Sequence, residues 1–442
     1  MRLGLLSPKK HCAVMNTFVD TGGILEGLTD EPDAIEMQRY YKKHLRSYTM
    51  WQLRQQVIAN KKARKRELLA QSEGVPVESI EINSVEVSDV SDSEIIGAQT
   101  SNDEGGFSTA EDLQEMFSDR RMDEDEKYFI NQASTQLSLD DYMPATEIIR
   151  HEDASEEMSY YEAYEPDVEL SIEHKDELTL EMNEMGPMIY TFPRGSWSKF
   201  NSPTALPKLQ LFPYYLLDGA SVLTVMALGV QLNDVCADYC AAPGGKSLAL
   251  MMSMKPRHLL CNDTSISRLK RISRVMDQYI PDINYRKSTL KLSNENAAKM
   301  VYPDTFDKII VDVPCINDRN AIETLDNNIF KTSRTEERIG LPKLQCNILK
   351  AALRSLKPKG SVIYSTCTLS PIENDGVVQN ALIQLQEEGC ELKFVIINLK
   401  EAFRPFRGLY KFNTKFKYGQ QVVPNVCSNF GPMYISKITR LK

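Results

Sequence analysis

Val235-Cys236-Ala237-Asp238-Tyr239-Cys240-Ala241-Ala242-Pro243-Gly244-Gly245-Lys246-Ser247 runs from an apolar segment through a turn of small residues into an amphipathic one. The apolar start predicts a buried strand over 235–239, and Gly244 to Met254 predicts a helix. Glycines at the junction let backbone approach a ligand closely, and the free N–H groups of a helix start favour anionic groups. The upstream glycine that a phosphate loop requires is missing, so Gly-Gly-Lys-Ser is not read as one.

The same alternation continues outward. A helix is predicted at 222–228 before the opening strand. Further strands are predicted at 258–262, 283–286, 306–313, 361–364 and 392–397, with helices at 266–278, 342–356 and 372–387. The last pair, 420–423 and 432–439, reads as antiparallel strands. Repeated strand–helix units of this length specify an α/β fold, a doubly wound and mostly parallel sheet. Such sheets bind ligands at the carboxyl ends of their strands.

Residues 1–72 read as a helical N-terminal region, with apolar residues at helical spacing over 34–70 and then the basic run Lys61-Lys62-Ala63-Arg64-Lys65-Arg66. That run is either the wet end of a helix or an RNA contact. Residues 73–187 form a long acidic insert of low expected order, in which short amphipathic pieces at 113–117 and 128–130 stand out. The catalytic domain is expected over 188–442.

The net charge of −9 conceals an asymmetry. Between Glu73 and Glu184 lie 33 acidic and 5 basic residues, which leaves +19 for the rest of the chain. A basic body of that size suits phosphate binding, though a solvated surface would show the same balance. The acidic insert is then either a spacer or a segment that lies over the basic body and competes with RNA. The longest apolar runs are too short for a membrane span. Nine cysteines without a C-x-x-C pair, and five histidines, argue against a zinc site and for reduced thiols. The first residues do not read as an Arg-rich transit peptide.

Three further strings follow predicted strands: Asn262-Asp263, Asp312-Val313-Pro314-Cys315 and Ser365-Thr366-Cys367-Thr368. An acidic residue about 20 positions past a glycine loop accepts hydrogen bonds from ribose hydroxyls, which suits Asp263. A lone cysteine is usually a small core residue, and Cys236, Cys261, Cys346 and Cys390 are read so. Cys315 and Cys367 sit instead in polar, proline-bearing turns after neighbouring strands, where they face one cleft.

Together, the string Asp238 to Lys246, the Val311-to-Cys315 turn and Ser365-Thr366-Cys367-Thr368-Leu369-Ser370 resemble the Fmu/Sun family of RNA 5-methylcytosine methyltransferases. Asn327-to-Lys331 and the tail Asn429-to-Tyr434 are most similar to its mitochondrial ribosomal-RNA branch. The resemblance covers roughly 189–442, and more weakly 5–18. It implies a class I S-adenosylmethionine-dependent methyltransferase fold acting on RNA, with ribosomal RNA as substrate and a role in mitochondrial ribosome assembly. It also implies a mitochondrial location and a helical-repeat partner of the mitochondrial termination-factor family. S-adenosylmethionine is expected along Cys240, Ala241, Ala242, Pro243, Gly244, Gly245 and Lys246, with Asp263, Arg268, Asn294 and Asp312. Asn294 stands where relatives carry an acidic residue, and the Trp-Asp-Gly pattern around it is absent.

The chemistry of cytosine assigns the rest. Carbon 5 is a poor nucleophile until a thiolate adds at carbon 6 and makes the ring an enamine. By resemblance Cys367 attacks and Cys315 helps release the product; the reverse assignment, with the Pro-Cys thiol attacking, is the alternative. Asp312 is expected to hold the base, with Lys246 tuning the charge nearby. The target base is unpaired or flipped out. The rival readings are an RNA-binding assembly scaffold without turnover and a DNA or tRNA cytosine methyltransferase.

Overall fold

A computed structural model describes residues 2–20, 33–50, 172–181, 186–324, 328–413 and 415–442, with a few isolated positions between 28 and 63. The chain divides into two units, Met1–Tyr40 with Arg150–Lys442, and Tyr41–Ile149. These bounds differ from the expected 1–72, 73–187 and 188–442. Of the basic run only Ala63 is described. The acidic segment up to 171, with its pieces at 113–117 and 128–130, lies outside the described residues, as does Asn327.

The central sheet carries five parallel strands, β6 (Val235–Asp238), β7 (His258–Asn262), β8 (Leu290–Ser293), β9 (Phe306–Asp312) and β10 (Leu356–Thr366). Their spatial order is β10-β9-β6-β7-β8, and every neighbouring pair is parallel. The chain therefore steps outward from β6 to β8 and returns to β9 on the other side of β6. The crevice between the carboxyl ends of β6 and β9 is the switch point at which such sheets bind ligands. Strand β14 (Met433–Arg440) adds antiparallel to β10, and β13 (Gln420–Val422) pairs antiparallel with β14.

Burial explains these elements. The middle of β9, Ile309–Val311, is fully buried, as parallel strands covered on both faces require. The helix Ile266–Tyr279 turns Leu269, Ile272, Met276 and Tyr279 inward at helical spacing, while Arg268, Lys270 and Arg271 stay outside. Ser265 caps it by accepting the Arg268 N–H.

Four expectations need correction. The predicted strand at 283–286 is the helix Ile283–Thr289; Asp282 caps it by accepting from the Asn284 and Tyr285 N–H groups, and the strand begins only at Leu290. The helix predicted from Pro342 starts at Thr335, with Pro342 inside it. The N-terminal region is not all helix. Its β1 (His11–Met15) lies between β4 (Ile189–Thr191) and β5 (Tyr214–Asp218) in a four-stranded antiparallel sheet with β2 (Ile35–Glu36), and helix follows over 37–50. Lastly, the tail of the acidic segment is ordered: β3 (Glu173–Asp176) pairs parallel with β11 (Phe394–Asn398), which itself joins β14. Four exposed, mostly charged residues carried no strand signal, because main-chain pairing at a sheet edge asks little of side chains.

Arg319 fastens the N-terminal segment to this body. Its buried guanidinium donates to the carbonyls of Gly4, Leu5, Ser7 and Gly431 and to Asn429 Oδ1.

Candidate active site

At the end of β6 the chain turns through Tyr239 to Pro243, with a cis bond between Ala242 and Pro243. Gly244 adopts φ +108°, a conformation that favours glycine. A Cβ on Gly245 would come within 2.8 Å of Leu217 and 2.9 Å of Tyr215, so only glycine lets this helix start pack here. Asn262, buried at the end of β7, holds the turn from behind: its side-chain amide donates to the Tyr239 carbonyl, and its own carbonyl accepts from Ala241 N–H.

Lys246 and Ser247 then point back under the strands. Lys246 Nζ donates to Asp312 Oδ2 at 2.7 Å, and Ser247 Oγ donates to Asp238 Oδ2 at 2.6 Å. Burial opposes the Lys246 charge, but Asp312 outweighs it and raises the amine above its ordinary value. Lys246 is therefore a fixed cation at the crevice. Asp238 is fully buried, and its Oδ1 has no hydrogen-bond partner among the described residues. Burial pushes its carboxyl up to about 7, against the opposing Ser247 bond. Asp312 accepts from Ser365 Oγ at 2.9 Å on its other oxygen, which fixes the carboxylate plane between β9 and β10.

Cys315 and Cys367 meet at this end of the sheet. Their sulfurs are 3.0 Å apart, and the Cys367 N–H donates to Cys315 Sγ at 3.2 Å. The hydrogen bond to Cys367, with burial, pushes the Cys315 thiol well above its ordinary value. The four cysteines read as core residues differ: Cys236, Cys261 and Cys346 are buried, and Cys390 packs half-buried against the core, while Cys240 lines the cleft.

The crevice opens into a cleft of about 380 Å³ whose walls include Ala242, Pro243, Asp263, Arg268, Asp312, Cys315 and Cys367. That size falls within the range of about 300–1,000 Å³ common for small-molecule sites. Asp263, almost fully buried, accepts the Ser265 N–H on Oδ1, while Arg268 lies 3.4 Å from Oδ2 and donates to the Ala242 carbonyl at 3.0 Å. A carboxylate for hydroxyls, a turn of small residues for an apolar body and acidic groups at the far end fit an adenosyl sulfonium cofactor.

Of the expected cofactor residues, Cys240, Ala242, Pro243, Asp263, Arg268 and Asp312 line the cleft, whereas Ala241, Gly244, Gly245 and Lys246 lie in the turn and helix start behind it and Asn294 stands apart. Asn294 is exposed and spends its amide on the Asp263 carbonyl at 2.8 Å, so it braces the β7 turn from outside. Asn296, two positions on, lines the cleft instead and caps the turn Ala297–Lys299. Sequence reading also passed over Gln345, Glu373 and Asn374, which lie directly behind the two cysteine turns. Their only signal was Glu373-Asn374-Asp375, three polar residues at the start of a helix whose buried face is mostly apolar apart from Gln379.

Residues 225–438 match the family described as 16S rRNA methyltransferase RsmB/F. A Bos taurus protein named 5-cytosine rRNA methyltransferase NSUN4 is 41% identical over 254 residues, 57% of this chain and 66% of the relative. A Caenorhabditis elegans protein, 5-cytosine rRNA methyltransferase nsun-4, is 43% identical over 238 residues, 52% of this chain and 50% of the relative. A Mus musculus protein named tRNA (cytosine(34)-C(5))-methyltransferase, mitochondrial, is 35% identical over 232 residues, 51% of this chain and 64% of the relative. The matched segment thus spans between half and two thirds of these curated relatives. It contains the β6 turn, both cysteine turns and the Lys246–Asp312 pair, and over residues 225–438 the chain is similar to the RsmB/F methyltransferase family.

Proposed function

We propose that this protein transfers a methyl group from S-adenosylmethionine to carbon 5 of cytosine in RNA, with mitochondrial small-subunit ribosomal RNA as substrate. The observation that carries the assignment is the pair of thiols at 3.0 Å beside the Lys246–Asp312 ion pair at the sheet's switch point.

Cys367 adds to carbon 6 of an extruded cytosine, forming a C–S bond and leaving an enamine whose carbon 5 is nucleophilic. Asp312, oriented by Ser365 and Lys246, faces the cleft and accepts from the base, while Lys246 supplies positive charge where the ring gains electrons. Cys315, its sulfur 3.0 Å from that of Cys367, is the thiol placed to assist it. After methylation a base takes the carbon 5 proton, the electrons of that C–H bond restore the 5,6 double bond, the C–S bond breaks, and Cys315 stabilises the departing sulfur with its hydrogen bond. S-adenosylmethionine, when bound along Asp263, Arg268 and the Ala242–Gly245 turn, supplies the electrophilic methyl.

The names of the relatives and the +19 carried outside the acidic segment support an RNA substrate. The name of the mitochondrial tRNA relative supports a mitochondrial setting; ribosome assembly alongside a helical-repeat partner of the termination-factor family rests on the family resemblance. Bisulfite sequencing of mitochondrial ribosomal RNA and tRNA after loss of the protein tests this. Loss of one ribosomal 5-methylcytosine is expected. Loss in tRNA alone would move the substrate, and an unchanged cytosine profile would remove the methylation assignment.

A further inference from the structure

Behind the two cysteine turns, residues Ile372–Gly376 form a single π-helical turn that opens the helix Val377–Glu387. Single π turns in helices are frequent at functional sites. Here Glu373 and Asn374 are both fully buried, although they are polar and sit in a helix start.

Each serves one thiol. Glu373 Oε2 accepts from the Ile316 N–H at 3.1 Å and from Gln345 Nε2 at 2.7 Å, and Gln345 Nε2 also donates to the Pro314 carbonyl at 2.8 Å. The pair therefore grips the chain on both sides of Cys315. Asn374 Oδ1 accepts from Thr366 Oγ1, and its Nδ2 donates to the Thr368 carbonyl at 3.2 Å. Asn374 thus grips the chain on both sides of Cys367. Adjacent residues in one turn hold two segments that lie 52 positions apart.

We propose that the π turn is a two-pronged positioning device: Glu373, through Gln345, and Asn374 fix the spacing of the Cys315 and Cys367 sulfurs. Neither residue touches substrate; both act through the backbone that presents the thiols. The proposal adds to the methylation mechanism, yet its central consequence is a distance that can be read without RNA.

Diamide supplies that reading on the full chain. Oxidation joins the two sulfurs in an S–S bond, and the two thiol protons and two electrons pass to the azo bond, which becomes a hydrazine. The rate is followed by peptide mapping of the Cys315–Cys367 disulfide. Glu373→Ala and Asn374→Ala should each slow cross-linking by about tenfold, the scale set by losing a hydrogen bond to a charged or fully buried partner. Glu373→Gln should restore it, because its amide oxygen still accepts from Ile316 and Gln345. If Glu373→Ala fails to fold, Gln345→Leu tests the same prong. Alanine variants that still bind S-adenosylhomocysteine and cross-link at the wild-type rate would overturn the proposal. A wild-type protein that cross-links readily but methylates no RNA would count against the proposed function and leave the clamp standing.

Discussion

Lys246 Nζ lies 2.7 Å from Asp312 Oδ2, joining the helix after β6 to the carboxyl end of β9 across the switch point. Lys246 is almost fully buried, whereas the Asp312 side chain keeps 30% of its surface open toward the cleft. The cation therefore tunes an anion that substrate can reach. Lys246→Met should lower single-turnover methyl transfer by about 10²-fold, the usual scale for one preorganised electrostatic contact. Asp312→Asn should cost at least as much, since it removes both the charge and an acceptor for the base. A rate within twofold of wild type in either variant would take that residue out of the site.

Cofactor binding separates Asp263 from Asn294. Asp263 is buried at the cleft wall, and a hydrogen bond to a charged group contributes about 1.5–3 kcal/mol. Asp263→Ala should therefore weaken S-adenosylhomocysteine by about 10- to 100-fold in calorimetry. Asn294→Ala removes only an outer brace and should weaken it by less than about fivefold, the worth of one ordinary hydrogen bond. Equal losses would return Asn294 to the cofactor.

These contrasts mark what a single sequence discloses. Asp263, Asp312, Cys315 and Cys367 were legible because each follows an apolar strand, and a parallel sheet gathers its strand ends on one side. For Asn294, counting along the chain placed a residue in a loop but not the direction of its side chain, which turns onto the Asp263 carbonyl. Ile283-Asn284-Tyr285-Arg286 alternates like a strand, yet Asp282 caps it into a helix, and alternation over four residues cannot overrule a cap. For Glu373 and Asn374 the polar run was visible, but their partners on residues 316, 345, 366 and 368 were not, because such contacts leave no pattern in composition.

Burial of carboxyl groups sets a pH dependence of stability. Glu373 has one oxygen without a hydrogen-bond partner among the described residues, and burial raises its carboxyl from 4.5 to about 7, with Gln345 and Ile316 opposing. The folded state then binds the proton more tightly than the unfolded chain does. Its contribution is complete below pH 4.5 and is lost as pH rises through about 7. Glu373→Gln should shrink the stability lost between about pH 5.5 and 7.5 by on the order of 1–2 kcal/mol, read by urea unfolding. Parallel profiles for the two proteins would show that Glu373 does not titrate in that window.

Arg319 offers a test of the N-terminal attachment. Its guanidinium reaches five acceptors on two segments, a geometry that a lysine ammonium cannot copy. Arg319→Leu should cost about 3 kcal/mol or more, because buried carbonyls lose a charged donor. The melting temperature should fall, and proteases should cut near residues 2–10 in the variant first. Arg319→Lys should recover little of the loss. An unchanged melting temperature would mean that the segment is held by β1 pairing alone.

The division of labour between the thiols gives the most direct test of the chemistry. In the proposed mechanism Cys367 attacks, and Cys315, its sulfur 3.0 Å away, assists departure of the Cys367 sulfur. Cys367→Ala removes the carbon–sulfur bond on which activation depends, and methylation should fall by at least about 10³-fold, as loss of a nucleophile does elsewhere. No covalent RNA species should form in that variant. Cys315→Ala leaves the attack intact but removes the group that eases departure of the Cys367 sulfur. A protein–RNA adduct should then survive denaturing electrophoresis when RNA and cofactor are both present. Combining the two substitutions should abolish the adduct, which ties its formation to Cys367. An adduct that persists in Cys367→Ala and vanishes in Cys315→Ala would reverse the roles, with the thiol after Pro314 as the nucleophile.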